Sequence, residues 1–246
     1  MTNTTQPLPP VGVMLLDTAF ARPKGDIGNP ETFGGRALFE TVRAATIGRV
    51  LSGDPTDPSL ADSFLVARDR LVARGAGLIT TSCGLLVFHQ LRLSQGCPVP
   101  LTTSSLFQIP LRQAQVGRVG VLGLLAGSIT PRHLAAAGGT GDVPVGALAD
   151  DAHLLAVLRA NDPARAIDAG RARADLVAAG RALVEKSPDI QALVLECTNL
   201  PPYQDALEQA LGLPVFGFLD WLHAVATGQA QPDGTQPDLT LTGPTL

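Results

Sequence analysis

Lysine is almost missing from this sequence: of 246 residues, only Lys24 and Lys186 carry an ammonium side chain. One falls in a loop and the other at a helix end, so pyridoxal chemistry, which needs a Schiff-base lysine, is poorly supported. Aromatic residues make up 4% of the chain and the net charge is -4. That balance offers neither stacking platforms nor a basic footprint for nucleic acid or an acidic membrane surface. The cysteines are few and odd in number (Cys83, Cys97 and Cys197) with no CxxC spacing. They read as reduced thiols rather than as a disulfide framework or a metal set. No uncharged apolar run approaches the roughly 18 residues of a membrane span. The N-terminal Thr2-Asn3-Thr4-Thr5-Gln6-Pro7 lacks the basic and apolar regions of a signal peptide. A cytoplasmic protein without membrane or nucleic-acid partners is the expectation, with homo-oligomers left open.

What is present is an alternation of strand and helix patterns, the mark of a parallel α/β fold. Val11-Gly12-Val13-Met14-Leu15-Leu16 is a strand-length apolar run ending at Asp17, and Ser59 to Arg74 places Leu60, Phe64, Leu65, Ala67, Leu71 and Val72 at helical spacing. Gly75-Ala76-Gly77 stops that helix before a strand leading to Cys83. The second half repeats the plan. Val119 to Leu125 matches the first strand, Ala164 to Lys186 reads as helix, and Ser187-Pro188-Asp189 precedes the strand leading to Cys197. Asn199 is placed to cap a helix that tolerates Pro201 and Pro202 in its first turn and runs to Leu211. We therefore expect two pseudo-symmetric lobes, 11–112 plus 213–228 and 113–212, with flexible tails at 1–10 and 229–246, where polar residues and proline prevail.

Cys83 and Cys197 occupy equivalent points of this repeat, and a proline follows each by seventeen residues, at Pro100 and Pro214. Ligands in parallel α/β folds bind beyond the carboxyl ends of the strands, where Asp17 and both cysteines fall. A thiol ahead of a helix N-terminus is expected to have a lowered pKa. Thr80, Thr81, Ser82, Thr198 and Asn199 surround the pair with small hydrogen-bonding groups. Cys97, in Gly96-Cys97-Pro98, reads as a structural thiol.

Thr81-Ser82-Cys83-Gly84 and Glu196-Cys197-Thr198-Asn199 resemble the two cysteine motifs of the aspartate/glutamate racemase superfamily, which includes amino-acid and hydantoin racemases, maleate isomerases and arylmalonate decarboxylases. The resemblance spans roughly residues 11 to 226. It implies two α/β lobes with the site in the cleft between them, no cofactor, and a small carboxylate substrate. Carried over by motif, Cys83 and Cys197 would be the acid/base thiols of a two-base racemase or epimerase, most plausibly of aspartate or glutamate. Asp17, Thr81, Ser82, Gly84, Thr198 and Asn199 would contact substrate. Asn29, in the loop 22–34, and Ser104, in the run Thr102 to Ser105, are further candidates, with an ordinary loop and a helix-capping turn as their plainer readings. Glutamate racemases carry Asn-Thr and Thr-His after their cysteines where Gly84-Leu85 and Thr198-Asn199 stand here. The Cys-Thr-Asn run is closer to the maleate-isomerase-like branch. One-cysteine isomerase or decarboxylase chemistry is therefore the alternative.

Two other classes compete. Thr80-Thr81-Ser82-Cys83-Gly84 approximates a nucleophile elbow, with Asp189 and His223 in hydrolase order, but threonine replaces the first glycine of its strained turn. A non-catalytic two-lobed ligand-binding protein is the remaining reading.

Overall fold

The computed structural model describes residues 7–52 and 57–234. Among the described residues, eight strands form two parallel sheets. The first contains β1 (Val11–Leu16), β2 (Leu38–Val42), β3 (Leu78–Thr81) and β4 (Leu101–Thr102), in spatial order β2-β1-β3-β4. The second contains β5 (Val119–Gly123), β6 (Val145–Ala147), β7 (Ala192–Leu195) and β8 (Val215–Phe216), in the equivalent order β6-β5-β7-β8. Helices α1 (Ile47–Ser52), α2 (Pro58–Ala73), α3 (Gln90–Ser94) and α4 (Ile109–Val116) belong to the first half of the chain. In the second half lie α5 (Pro131–Ala136), α6 (His153–Ala160), α7 (Ala169–Lys186), α8 (Gln204–Leu211) and α9 (Phe218–Ala226).

Strand alternation decides how the lobes join. Successive side chains of a strand point to opposite faces. On β1, Val11 and Val13 face the second lobe while Met14 and Leu16 face the outer helices; on β5, Val119 and Val121 face inward while Leu122 faces outward. The inward residues share one core with Phe107, Phe218 and Trp221, so the lobes are fused along a buried seam. Both faces of each sheet are covered, which is why these strands read as continuous apolar runs.

Local signals set most element ends. Asp57 caps α2 by accepting from the Ser59 and Leu60 N–H groups (2.8 and 3.2 Å), and Gly75, at φ 89°, follows its end. The second long helix begins at Ala169 rather than Ala164, because Asp168 caps it through the Arg171 N–H. The segment 213–228 divides between the lobes. Val215–Phe216 pairs with β7 in the second sheet, whereas α9 reaches back to the first lobe, its Trp221 Nε1 donating to Thr102 Oγ1 at 2.7 Å. Of the tails, 1–6 and 235–246 lie outside the described residues. Within 229–234, Ala230 is buried, and Gly234 packs so closely on Phe107 that a Cβ would stand 2.5 Å from its carbonyl oxygen. No helix among the described residues is long and apolar enough to cross a membrane.

Candidate active site

The carboxyl ends of β1, β3 and β7 open on a cavity of about 250 Å³ between the lobes. Both Cys83 and Cys197 line it, with Ser82, Gly84, Glu196 and Asn199. Its remaining wall is largely apolar, built from Phe20, Val50, Leu124, Leu125, Leu155 and Leu158.

Each cysteine is held by its own lobe and fastened to the other. In the first lobe, the Thr81 hydroxyl lies 2.9 Å from the Cys83 carbonyl and 3.0 Å from the Thr103 carbonyl, and accepts the Cys83 N–H at 3.4 Å. Ser82 Oγ accepts from the Leu16 N–H at 2.9 Å. In the second lobe, Cys197 Sγ donates to Asn199 Oδ1 (3.3 Å) and accepts from the Asn199 N–H (3.4 Å). Across the seam, Thr198 Oγ1 donates to the Ser82 carbonyl at 2.7 Å, and Ser105 Oγ is shared between the Leu195 and Glu196 carbonyls at 2.7 and 3.0 Å.

The loop 22–34 straps the second motif to the first lobe. Ile27 N–H donates to the Thr198 carbonyl (3.3 Å), and Asn199 Nδ2 donates to the fully buried Asp26 at 2.6 Å. Arg22, stacked 4.4 Å from the centre of the Phe20 ring, donates to the other Asp26 oxygen at 2.8 Å and to Thr18 Oγ1 at 2.8 Å. A continuous chain therefore runs Cys197–Asn199–Asp26–Arg22 and returns to the cavity wall, which Arg22 also lines.

The electrostatics reverse one expectation. Neither thiol is depressed. Enclosure by protein pushes Cys83 up to about 12, with the Glu196 charge adding to the rise and the Leu85 N–H only partly offsetting it. Burial first, then Glu196, also raises Cys197. The turn after Cys83 is a short 3-10 segment, Gly84–His89, too slight to outweigh desolvation. Burial pushes the Glu196 carboxyl itself up to about 8.

The sequence-predicted residues separate into three groups. Cys83, Cys197, Ser82, Gly84 and Asn199 line the cavity. Thr81 and Thr198 are fully buried and act as braces for the cysteine segments. Asp17, Asn29 and Ser104 are not among the lining residues. The neighbours of Asp17, Leu16 and Thr18, take the wall, and the Asp17 N–H binds the Ala45 carbonyl. Asn29 folds its loop, donating to the Arg22 carbonyl (2.7 Å) and accepting from the Glu31 N–H. Ser104 caps the turn Ser105–Gln108 through the Leu106 N–H at 3.1 Å. Asn199 does not cap the following helical segment, because its side chain is committed to Asp26 and Cys197. Residue-type reasoning missed Glu196 and the Arg22–Asp26 pair. Glu196 could have been flagged as the one charge at the end of an otherwise apolar strand. The hydrolase constellation is not assembled: Asp189 pairs with Arg118, and His223 lines a separate cleft with Arg36. Cys97 lies outside the cavity, packed against the first lobe's outer core. Among the described residues, no three His, Cys, Asp or Glu side chains group to hold a metal.

No protein-family model matches the chain. A dimethylsulfoniopropionate lyase from Durusdinium sp. clade D is 28% identical over 217 residues, covering 84% of this chain and 70% of that protein. Dimethylsulfoniopropionate lyase 5 from Emiliania huxleyi (strain CCMP1516) is 26% identical over 245 residues, covering 89% of this chain but 46% of the relative, so the chain spans about half of that protein's length. Among solved structures, a mutant of arylmalonate decarboxylase in a sulfate-ion-associated form aligns with a TM-score of 0.60 at 19% identity, over 89% of this chain and 94% of that one. Glutamate racemase from Thermus thermophilus, in complex with β-chloro-D-alanine, aligns with a TM-score of 0.50 at 17% identity, over 94% and 84%. The chain has the two-lobed α/β fold of the aspartate/glutamate racemase superfamily, and the relatives and structural neighbours named are enzymes or, in the first structure, an enzyme variant.

Proposed function

We propose that this chain is a lyase that removes a Cα proton from a small monocarboxylate and expels a leaving group from Cβ, with dimethylsulfoniopropionate as the first substrate to test. The observation that carries the reading is that two thiols share one largely apolar cavity with two arginines, of which only Arg22 is largely buried. Arg22 spends two N–H groups on Asp26 and Thr18, and guanidinium has five, leaving donors for a substrate carboxylate. Arg22 and Cys83 line the same cavity, so a carboxylate held by Arg22 would keep Cα in the space that this sulfur faces. The other arginine of the wall, Arg159, is half exposed and turned to Asp150. A second substrate carboxylate therefore lacks a partner, while the methyl groups of a sulfonium would meet Phe20 and leucine side chains. The names of the sequence relatives support the same substrate.

In the step, a sulfur base takes the Cα proton. The C–H electron pair becomes the Cα=Cβ double bond, the Cβ–S bond breaks, and its pair leaves with sulfur as neutral dimethyl sulfide. Acrylate remains, and one proton is released from the site to solvent. Donors on the carboxylate stabilise the carbanion-like charge, and no step is routed through a cofactor.

Racemisation of an acidic amino acid is the second reading, favoured by the presence of two thiols in one cavity, since elimination needs only one. Purified protein incubated in D₂O with dimethylsulfoniopropionate, and separately with L- and D-aspartate and glutamate, separates them. Dimethyl sulfide in the headspace with acrylate in solution is the expected result. Deuterium entering Cα of the amino acids without sulfide release would replace the lyase by the racemase.

A further inference from the structure

We propose that Glu196 is the proton-transfer group of this cavity, taking the sulfur-bound proton of Cys83 before Cα–H abstraction and afterwards delivering a proton to water. The assignment rests on the reading of the cavity as a proton-abstraction site. Glu196 directly precedes Cys197 and is 3% exposed. Its hydrogen bonds to Leu122 and Ser105 use its backbone, leaving the carboxyl directed into the site. That carboxyl reaches across the seam. A Cβ at Gly84, the residue after Cys83, would lie 2.4 Å from Oε1 and 2.3 Å from the Glu196 carbonyl oxygen. On the other side, a Cβ at Gly123 would lie 3.6 Å from Oε2. Glycine at 84 thus makes room for a carboxyl beside one thiol on a residue adjoining the other.

Such a group would supply the proton acceptor that the raised thiols need. With Cys83 held near 12 and Cys197 raised as well, thiolate is scarce at neutral pH unless a neighbour accepts the proton. Glu196, near 8, is mostly the acid at neutrality and becomes the proton-accepting carboxylate as pH rises through that value. The charged and titratable groups around it are the two thiols, the mutually paired Arg22 and Asp26, and Arg159 with Asp150 at the wall. The cycle balances. The Cys83 thiol and Glu196 carboxylate become thiolate and carboxylic acid; the thiolate takes the Cα proton as the leaving group departs; the acid then loses its proton to water, restoring the start.

Alkylation by iodoacetamide, read by mass spectrometry at each cysteine as a function of pH, tests this without any substrate. The wild-type rate at Cys83 is expected to rise through a transition near pH 8 and level off. Glu196→Gln should abolish the transition and slow Cys83 by about a hundredfold, within the usual range for general-base assistance, while Cys97 is unchanged. Removing a mere burden of negative charge would do the reverse, since it eases thiol ionisation. Equal or faster alkylation of Cys83 in Glu196→Gln therefore overturns the proposal. So does a wild-type profile that climbs unbroken toward the thiol's own ionisation, an outcome readable even if the variant does not fold. If the transition and its loss are seen but no dimethyl sulfide is released, the substrate reading falls and the role of Glu196 stands.

Discussion

The two cysteine motifs occupy equivalent positions in equivalent sheets, yet their surroundings differ. Around Cys83 the structure invests in the backbone: Thr81 fixes the chain on either side of the cysteine, and the sulfur is left facing the cavity. Around Cys197 it invests in the sulfur itself, which donates to Asn199 within a chain running through Asp26 to Arg22. The Asn199 side chain, by accepting the Cys197 proton, favours the thiol, while the Asn199 N–H favours the thiolate. Among the described residues, Cys83 has no such pair of contacts at its sulfur and has the Glu196 carboxyl across the seam instead. Fold symmetry therefore does not carry over into chemical symmetry. On the proposed reading, Cys83 acts as base and Cys197 keeps its proton.

The largest expected effect breaks this comparison directly. Cys83→Ser should lower the elimination rate by about 10²- to 10⁴-fold, the range for losing a positioned acid or base, and Cys197→Ser by clearly less. Headspace assay of dimethyl sulfide decides it, and equal losses would restore a symmetric pair. Next comes the strap. Asp26→Ala leaves Arg22 partly buried without its carboxylate and frees Asn199, so a loss of about 3–5 kcal/mol in urea unfolding is expected. At temperatures where the variant is folded, iodoacetamide labelling should change more at Cys197 than at Cys83. The smallest effect sharpens the comparison by staying outside it. Ser104→Ala removes a cap and should cost about 1 kcal/mol in thermal unfolding while leaving turnover unaltered. A large loss of turnover there would return Ser104 to the site.

Much of this arrangement was legible in the sequence. The Val-Gly-Val starts of β1 and β5, the helix before each cysteine strand, and the two thiols at strand ends all follow from local periodicity and turn residues. The edge strands β2 and β6 were missed, being only partly buried and so lacking the continuous apolar run of the central strands. The roles of Asp26 and Arg22 were hidden for a different reason. Asp26 meets Asn199 across 173 positions of sequence, and no local pattern records such a meeting. The depressed thiols expected from a helix N-terminus failed because the dielectric around a sulfur is fixed by tertiary enclosure, which the short turn after Cys83 cannot offset.

The hydroxyls that cross the seam have a further consequence. Thr198 is fastened to the carbonyl just before Cys83, and Ser105 to those just before Cys197. The gap between the sulfurs is thereby gauged locally, by two short side chains, rather than by how two large bodies happen to settle. Sequence drift in the outer helices can then be absorbed without reaching the gap, whereas loss of either hydroxyl would detune it at once.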